Sequence, residues 1–187
     1  MDISQWQLDL FRPEDLPLPL KTQILSFYRC QWPWGFQGDD LFRDWITGVE
    51  DQPQHLILHH QETLIASLCL VKRKIDFFGK QVEIAGFTGV LVYPNFQNQG
   101  IGSQFIQEAS KIALKSHSTI CFHCEKEQSP FYQKLGFEAM TTLKVSEGNI
   151  QNPKISTGIL MIKNQNHELL QKLRDSSGPL YFGPYTW

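Results

Sequence analysis

The chain has 187 residues, 41% hydrophobic and 19% charged, with 17 basic against 19 acidic side chains and a formal charge of −2. That suits one domain spanning residues 1–187 with a sizeable core, and it lacks the basic footprint of a nucleic-acid binder. No apolar run reaches the about 20 residues of a membrane span, and "MDISQWQLDLFRPEDLP" has neither the basic start nor the apolar centre of a signal peptide, so a cytoplasmic location without membrane contact is expected by default.

In chain order, "SQWQLDLF" reads as a first strand. "LPLKTQILSFYRCQ" is helical, with Leu20, Ile24 and Tyr28 four apart. "GDDLFRDWITGVE" reads as a second short helix, with Asp39 or Asp40 as N-cap. "HLILHH" and "TLIASLCLVKRK" make two strands around the turn-like "QE". "VEIAGFTGVLVY" is a further strand interrupted by Gly86 and Gly89, a hint of a bulge or a close backbone approach. The next helix, about 100–115, has one apolar face of Ile101, Phe105, Ile106, Ala109, Ile112 and Ala113. A strand at 119–124 follows, then a short helix at 129–135 ending at Gly136, a natural C′ position. "FEAMTTLKV" and "GILMIK" read as strands, 146–157 between them as a loop, "HELLQKLRD" as a helix and "GPLYFGPYTW" as extended. The pattern is mixed α/β, with a βαβ-type unit at 83–124.

Cys121 and Cys124 form a C-x-x-C within the strand-like "TICFHCE". Residues three apart on a strand point to opposite faces, His123 goes with Cys121, and no second pair completes four ligands, so no metal is expected.

The stretch "VYPNFQNQGIG", 92–102, sits where a strand turns into a helix. A helix N-terminus offers unpaired N–H groups and a positive dipole end, which suits phosphate. Gly100 and Gly102 remove side chains from that approach. No G-K-[ST] follows, and the pattern is not G-x-G-x-x-G, so neither triphosphate nor dinucleotide chemistry is indicated. On the glycines alone, a tight turn that binds nothing is the plainer reading.

Val92, Pro94, Phe96, Gln97, Gly100 and Gly102, followed by an amphipathic helix, resemble motif A of the GCN5-related N-acetyltransferase (GNAT) superfamily. "PFYQKLGFE" at 130–138 is similar to that family's motif B, and the two lie about 30 residues apart. The resemblance covers residues 80–141. It implies a mixed, mostly antiparallel central sheet flanked by helices and an acetyl-CoA-dependent N-acetyltransferase without a metal. The loop N–H groups of Gln97, Asn98, Gln99, Gly100, Ile101 and Gly102 would hold the pyrophosphate of acetyl-CoA, with a hydroxyl contact from Ser103. The backbone of Leu91 and Val92 would pair with the pantetheine arm. The family commonly has Arg where this chain has Gln97, which is expected to weaken CoA binding modestly.

Acetyl transfer from a thioester needs a neutral amine, a donor to the tetrahedral oxyanion and a proton for the leaving thiolate. The Val92 N–H would supply the second. Tyr132 stands where such enzymes place a tyrosine that supplies the third, since its ordinary pKa of about 10 keeps it protonated; the alternative is a core tyrosine beside Phe131. For the base, Glu83 is the weak choice, with Thr88 and Glu125 near the expected cleft and His117 and His123 candidates by type. Many primary amines need no dedicated base.

The acceptor is expected to be a small-molecule amine. The layout also resembles the branch that includes aminoglycoside 2′-N-acetyltransferases, with Trp187 closing the acceptor cleft and its carboxylate available to an amine. Thr88 in place of an acid, and a final decapeptide without acidic side chains, point away from a polycationic sugar. Tyr181, Phe182, Tyr185 and Trp187 suit an acceptor with a flat or apolar part. Trp32, Trp34 and Phe36 either line its site or form a local hydrophobic plug. A protein N-acetyltransferase and a non-catalytic CoA-binding module are the alternatives, and assembly as a homodimer is left open.

Overall fold

The computed structural model describes residues 6–77, 79–164, 167–176 and 178–187. By its internal packing the chain divides into two compact units, one comprising the residues up to Val71 together with Thr88–Phe105, the other Lys72–Phe87 with Ile106–Trp187. Two long strands, β3 (Thr63–Phe77) and β4 (Lys80–Val92), run through both.

In the first unit β1 (Gln7–Phe11), β2 (Gln54–His60), β3 and β4 lie in that order. β1 pairs with β2 and β2 with β3, both antiparallel, with a register shift at Leu58/His59. Helix α1 (Leu18–Gln31) buries Leu20, Ile24 and Tyr28, the four-residue spacing expected. These pack with Leu16, Phe36, Ile57, Leu64 and Leu91. Each such side chain contributes about 1.5–3 kcal/mol on burial. Gln23 fixes the helix to the β2–β3 turn: its Nε2 donates to Glu62 O at 2.7 Å, and its Oε1 accepts from Leu64 N at 3.0 Å.

The helix expected at 38–50 does not form. The segment holds two short 3₁₀ turns, Gly38–Asp40 and Val49–Asp51. Arg29 takes two of its carbonyls, donating to Leu41 O at 2.9 Å and Arg43 O at 3.1 Å, acceptors that an α-helix would have used internally. Trp45 is drawn instead onto the ring of His55, centroids 4.1 Å apart.

In the second unit the order is β3, β4, β5 (Thr119–Cys124), β9 (Ile159–Asn164) and β6 (Glu138–Met140). β4 pairs with β5 in parallel through Ala85 and Ile120, while β9 is antiparallel to both β5 and β6. Helix α2 (Ile101–Ala113) leads into β5, and its expected apolar face is buried except for Ile112, half-buried. Helices α3 (Ser129–Gln133) and α4 (His167–Asp175) follow the expected segments. The strand expected over 137–145 ends at Met140. Val145 begins β7 (Val145–Glu147), which sits in another sheet between β8 (Lys154–Ile155) and β10 (Leu180–Gly183). The stretch 146–157 is therefore partly strand rather than loop. Among the described residues the sheets are mixed and mostly antiparallel, and no helix is long and apolar enough to cross a membrane.

Candidate active site

The strand-to-helix turn of the first unit is built from the backbone outward. Tyr93 N donates to Ile65 O at 2.8 Å, so its polar groups face β3. Successive residues alternate edges, which sends the backbone groups of Leu91 toward β3 as well and those of Val92 to the opposite edge. Val92 thus fits the expected edge contact, whereas Leu91 gives its side chain to the core. Gln97 does more than replace an arginine. Its Nε2 donates to Val92 O at 2.8 Å and braces the turn across five residues. Phe96 packs edge-on to Trp6 and Tyr93, with centroids 5.7 and 6.3 Å away.

The turn then opens. Asn98 and Gly100 have left-handed backbones, φ +59° and +78°. A Cβ on Gly100 would meet nothing within 4 Å, so glycine serves the conformation and leaves the approach clear. Gln97 N donates to Pro94 O at 3.2 Å, so the N–H expected of Gln97 is already used within the turn. The next donor to reach a backbone carbonyl is Gln104 N, bonded to Gly100 O at 3.2 Å; among the described residues, none of the N–H groups of Asn98 through Ser103 has such a partner. Asn98, Gln99 and Gly100 are exposed, Gly102 and Ser103 half-buried, and Ile101 buried as the anchor. Residues 88–105 contain no charged side chain. An anion here would be held by N–H groups and the helix dipole, a donor set that fits a pyrophosphate.

Behind the turn, Gly89 has φ +59°, and a Cβ there would overlap the Tyr28 hydroxyl, which donates to Gly89 O at 3.3 Å. The glycine suspected of a close approach makes one, in a strand that kinks as a bulge does.

In the second unit, Tyr132 is buried on α3. Its ring packs on Phe122, Phe131 and Phe137, with centroids 4.7, 5.0 and 6.1 Å away. Burial, with a smaller contribution from the Cys124 thiol, pushes its phenol well above the ordinary range, so it is a proton donor at neutral pH. Phe137 N and Leu135 N both donate to Tyr132 O, closing the helix before Gly136, φ +83°.

The base candidates separate. Glu83 Oε1 lies 3.3 Å from Nε2 of buried His117, close enough for an ion pair but off hydrogen-bond direction. This contact is at the start of β5, whereas Trp187 and His123 meet near its other end; the base role expected of Glu83 finds no support there. His123 has both ring nitrogens buried without a partner, and burial lowers it to about 4, making it neutral and a weak base. Glu125 is exposed just after β5, and Thr88 is half-buried in the first unit. Cys121 and Cys124 are free thiols, and burial pushes Cys124 up to about 11. Among the described residues no group of three or more His, Cys, Asp or Glu is placed to hold a metal ion.

Of the expected acceptor residues, Phe36 is core and Trp32 stacks edge-on to Tyr28 at 5.1 Å, while Trp34 is exposed. Trp187 is buried against Gly86, where a Cβ would overlap its ring; its carbonyl accepts from His123 N at 2.6 Å. Arg73, which sequence reasoning passed over, holds that tail. It donates to Phe182 O at 3.2 Å and Tyr185 O at 2.6 Å, with its guanidinium 4.5 Å from the Trp187 ring centroid. Four aromatics in a decapeptide without charged side chains were the only signal for such a cation.

Residues 51–139 match the model of the acetyltransferase (GNAT) domain. No curated protein matches the chain. Among solved structures, Escherichia coli ElaA superposes with a TM-score of 0.58 at 15% identity, covering 84% of this chain and 99% of that one. An acyl-CoA N-acyltransferase from Pseudomonas aeruginosa gives 0.56 at 16%, covering 84% and 99%. Arabidopsis thaliana NAA60, crystallised in complex with acetyl-CoA, gives 0.58 at 13%, covering 86% and 99%. At these identities the structural likeness speaks for the fold.

Proposed function

From the match of residues 51–139 to the GNAT acetyltransferase domain, we propose that this chain transfers the acetyl group of acetyl-CoA to the amine of a small molecule by direct attack on the thioester. The observation that carries this reading is the turn at 98–103, uncharged, open, and lined by backbone N–H groups without carbonyl partners among the described residues. Those groups and Ser103 would hold the pyrophosphate, and the outward edge of Val92 would take the pantetheine arm. The Val92 N–H would donate to the oxyanion as the amine nitrogen bonds to the carbonyl carbon. Tyr132 would give its proton to the sulfur as the carbon–sulfur bond breaks, and the proton lost by the amine would leave to solvent. The aromatic tail ending at Trp187 supports an acceptor with a flat or apolar part.

Free-thiol release from acetyl-CoA, measured against a panel of amines, tests the proposal. Saturable, amine-dependent release is expected. Saturable CoA binding without release from any amine would identify a binding module instead.

A further inference from the structure

In the first unit, the segment 32–51 sends Phe36 into the core but leaves four other large apolar side chains outside. Trp34, Leu41, Phe42 and Val49 face solvent, Phe42 at 88% exposure. On the neighbouring β2 and β3, His55 is 2% and Ser67 0% exposed, and neither ring nitrogen of His55 nor Ser67 Oγ has a hydrogen-bond partner. Leaving a buried polar atom unsatisfied costs stability, and folded proteins keep few of them. The two side chains belong together: His55 lies opposite Cys69 in the β2–β3 ladder and Ile57 opposite Ser67, which puts His55 and Ser67 on one face two residues apart in register. Trp45 lies on the His55 ring as a cover. The segment leaves α1 at Trp32 and rejoins the sheet through Gln52, a non-glycine residue with φ +47°. Apolar groups outside and orphaned polar groups inside both weigh against the closed arrangement.

We infer that residues 32–51 form a cap that opens over a polar subsite made by His55 and Ser67, and that this subsite takes the hydroxyl-bearing end of the acceptor amine. The acceptor part rests on the proposed acetyl transfer; the cap does not. A neutral imidazole and a hydroxyl each offer a donor and an acceptor, which matches an alcohol. Of the charged groups, Lys21 of α1 acts on His55 and is itself paired with Asp44 of the cap at 2.6 Å; Asp51 of the cap acts on Cys69 of β3, and Cys69 on Tyr28 of α1. Burial keeps Tyr28 and Cys69 protonated, Cys69 pushed up to about 12, so between pH 7 and 5 His55 is the group that changes. Burial, and then Lys21, lower it to about 4 in the closed cap against an ordinary 6.5. Opening is therefore favoured as pH falls.

Amide hydrogen exchange over residues 42–50, corrected for intrinsic rates, should show opening about twentyfold more frequent at pH 5 than at pH 7, with no pH dependence in His55→Phe. A flat wild type would overturn the cap. For the subsite, the CoA-loaded protein is titrated with ethanolamine and with propylamine, of equal size. Ethanolamine should shift the His55 ring resonances and propylamine should not, and Ser67→Ala should weaken ethanolamine about tenfold relative to propylamine. Equal responses to both amines, or none, would overturn the subsite even where thiol release fails and acetyl transfer falls with it.

Discussion

At the scale of single residues, two glycines of β4 do work that no other residue could do. Gly89 combines a left-handed backbone with the Tyr28 hydroxyl where a Cβ would stand. Gly89→Ala should lower stability by about 3 kcal/mol or more, read by denaturant unfolding, with Tyr28→Phe relieving only the overlap and not the backbone strain. Tyr132→Phe removes one hydroxyl from a ring that three phenylalanines hold in place. Thiol release should fall by about a hundredfold or more while acetyl-CoA affinity stays within about twofold. Unchanged turnover would make Tyr132 a core residue only. The sequence told that Gly86 and Gly89 answer to something close by. It could not tell what, because Tyr28 and Trp187 lie 61 and 101 residues away from them.

At the scale of elements, the turn from β4 into α2 is a brace and an opening. Gln97 closes it onto Val92, and Gly100 leaves it clear. Gly100→Val forces a β-branched residue into φ +78° and puts a side chain into the approach, so CoA affinity should fall at least about tenfold by calorimetry. Gln97→Ala should weaken CoA binding about threefold by loosening the turn. Equal affinities across both variants would show that the turn does not hold CoA. Elements with strong local periodicity were legible: α1 and β5 fall on the expected residues because their apolar spacing dictates the buried face. The segment 38–50 was not, since its helical spacing is overridden by Arg29 taking its carbonyls and by the pull of His55 on Trp45. β7 and β8 were missed because they are only three and two residues long and pair with each other, and the strand on β7's other edge, β10, comes from the end of the chain.

At the scale of the whole molecule, stability should depend on pH through two buried neutral histidines. His55 and His123 are both lowered to about 4 by burial, against an ordinary 6.5. The unfolded chain binds their protons first, so stability is full above about pH 6.5 and is lost as pH falls toward 4. Between pH 7.5 and 4.5 this amounts to about 2.5 kcal/mol for each, and urea unfolding of His55→Phe should lose about half of that dependence. The donor side of the candidate chemistry was largely legible, because it is written in one contiguous stretch, 92–103. The proposed acceptor subsite was not, because His55 and Ser67 come together only through strand register and Trp45 reaches His55 only through tertiary packing. The central claim is amine acetylation by this chain. Its most direct test is free-thiol release from acetyl-CoA across a panel of small amines, with wild type beside Gly100→Val. Saturable, amine-dependent release that is strongly reduced in the variant is predicted; tight CoA binding with no release from any amine would contradict it.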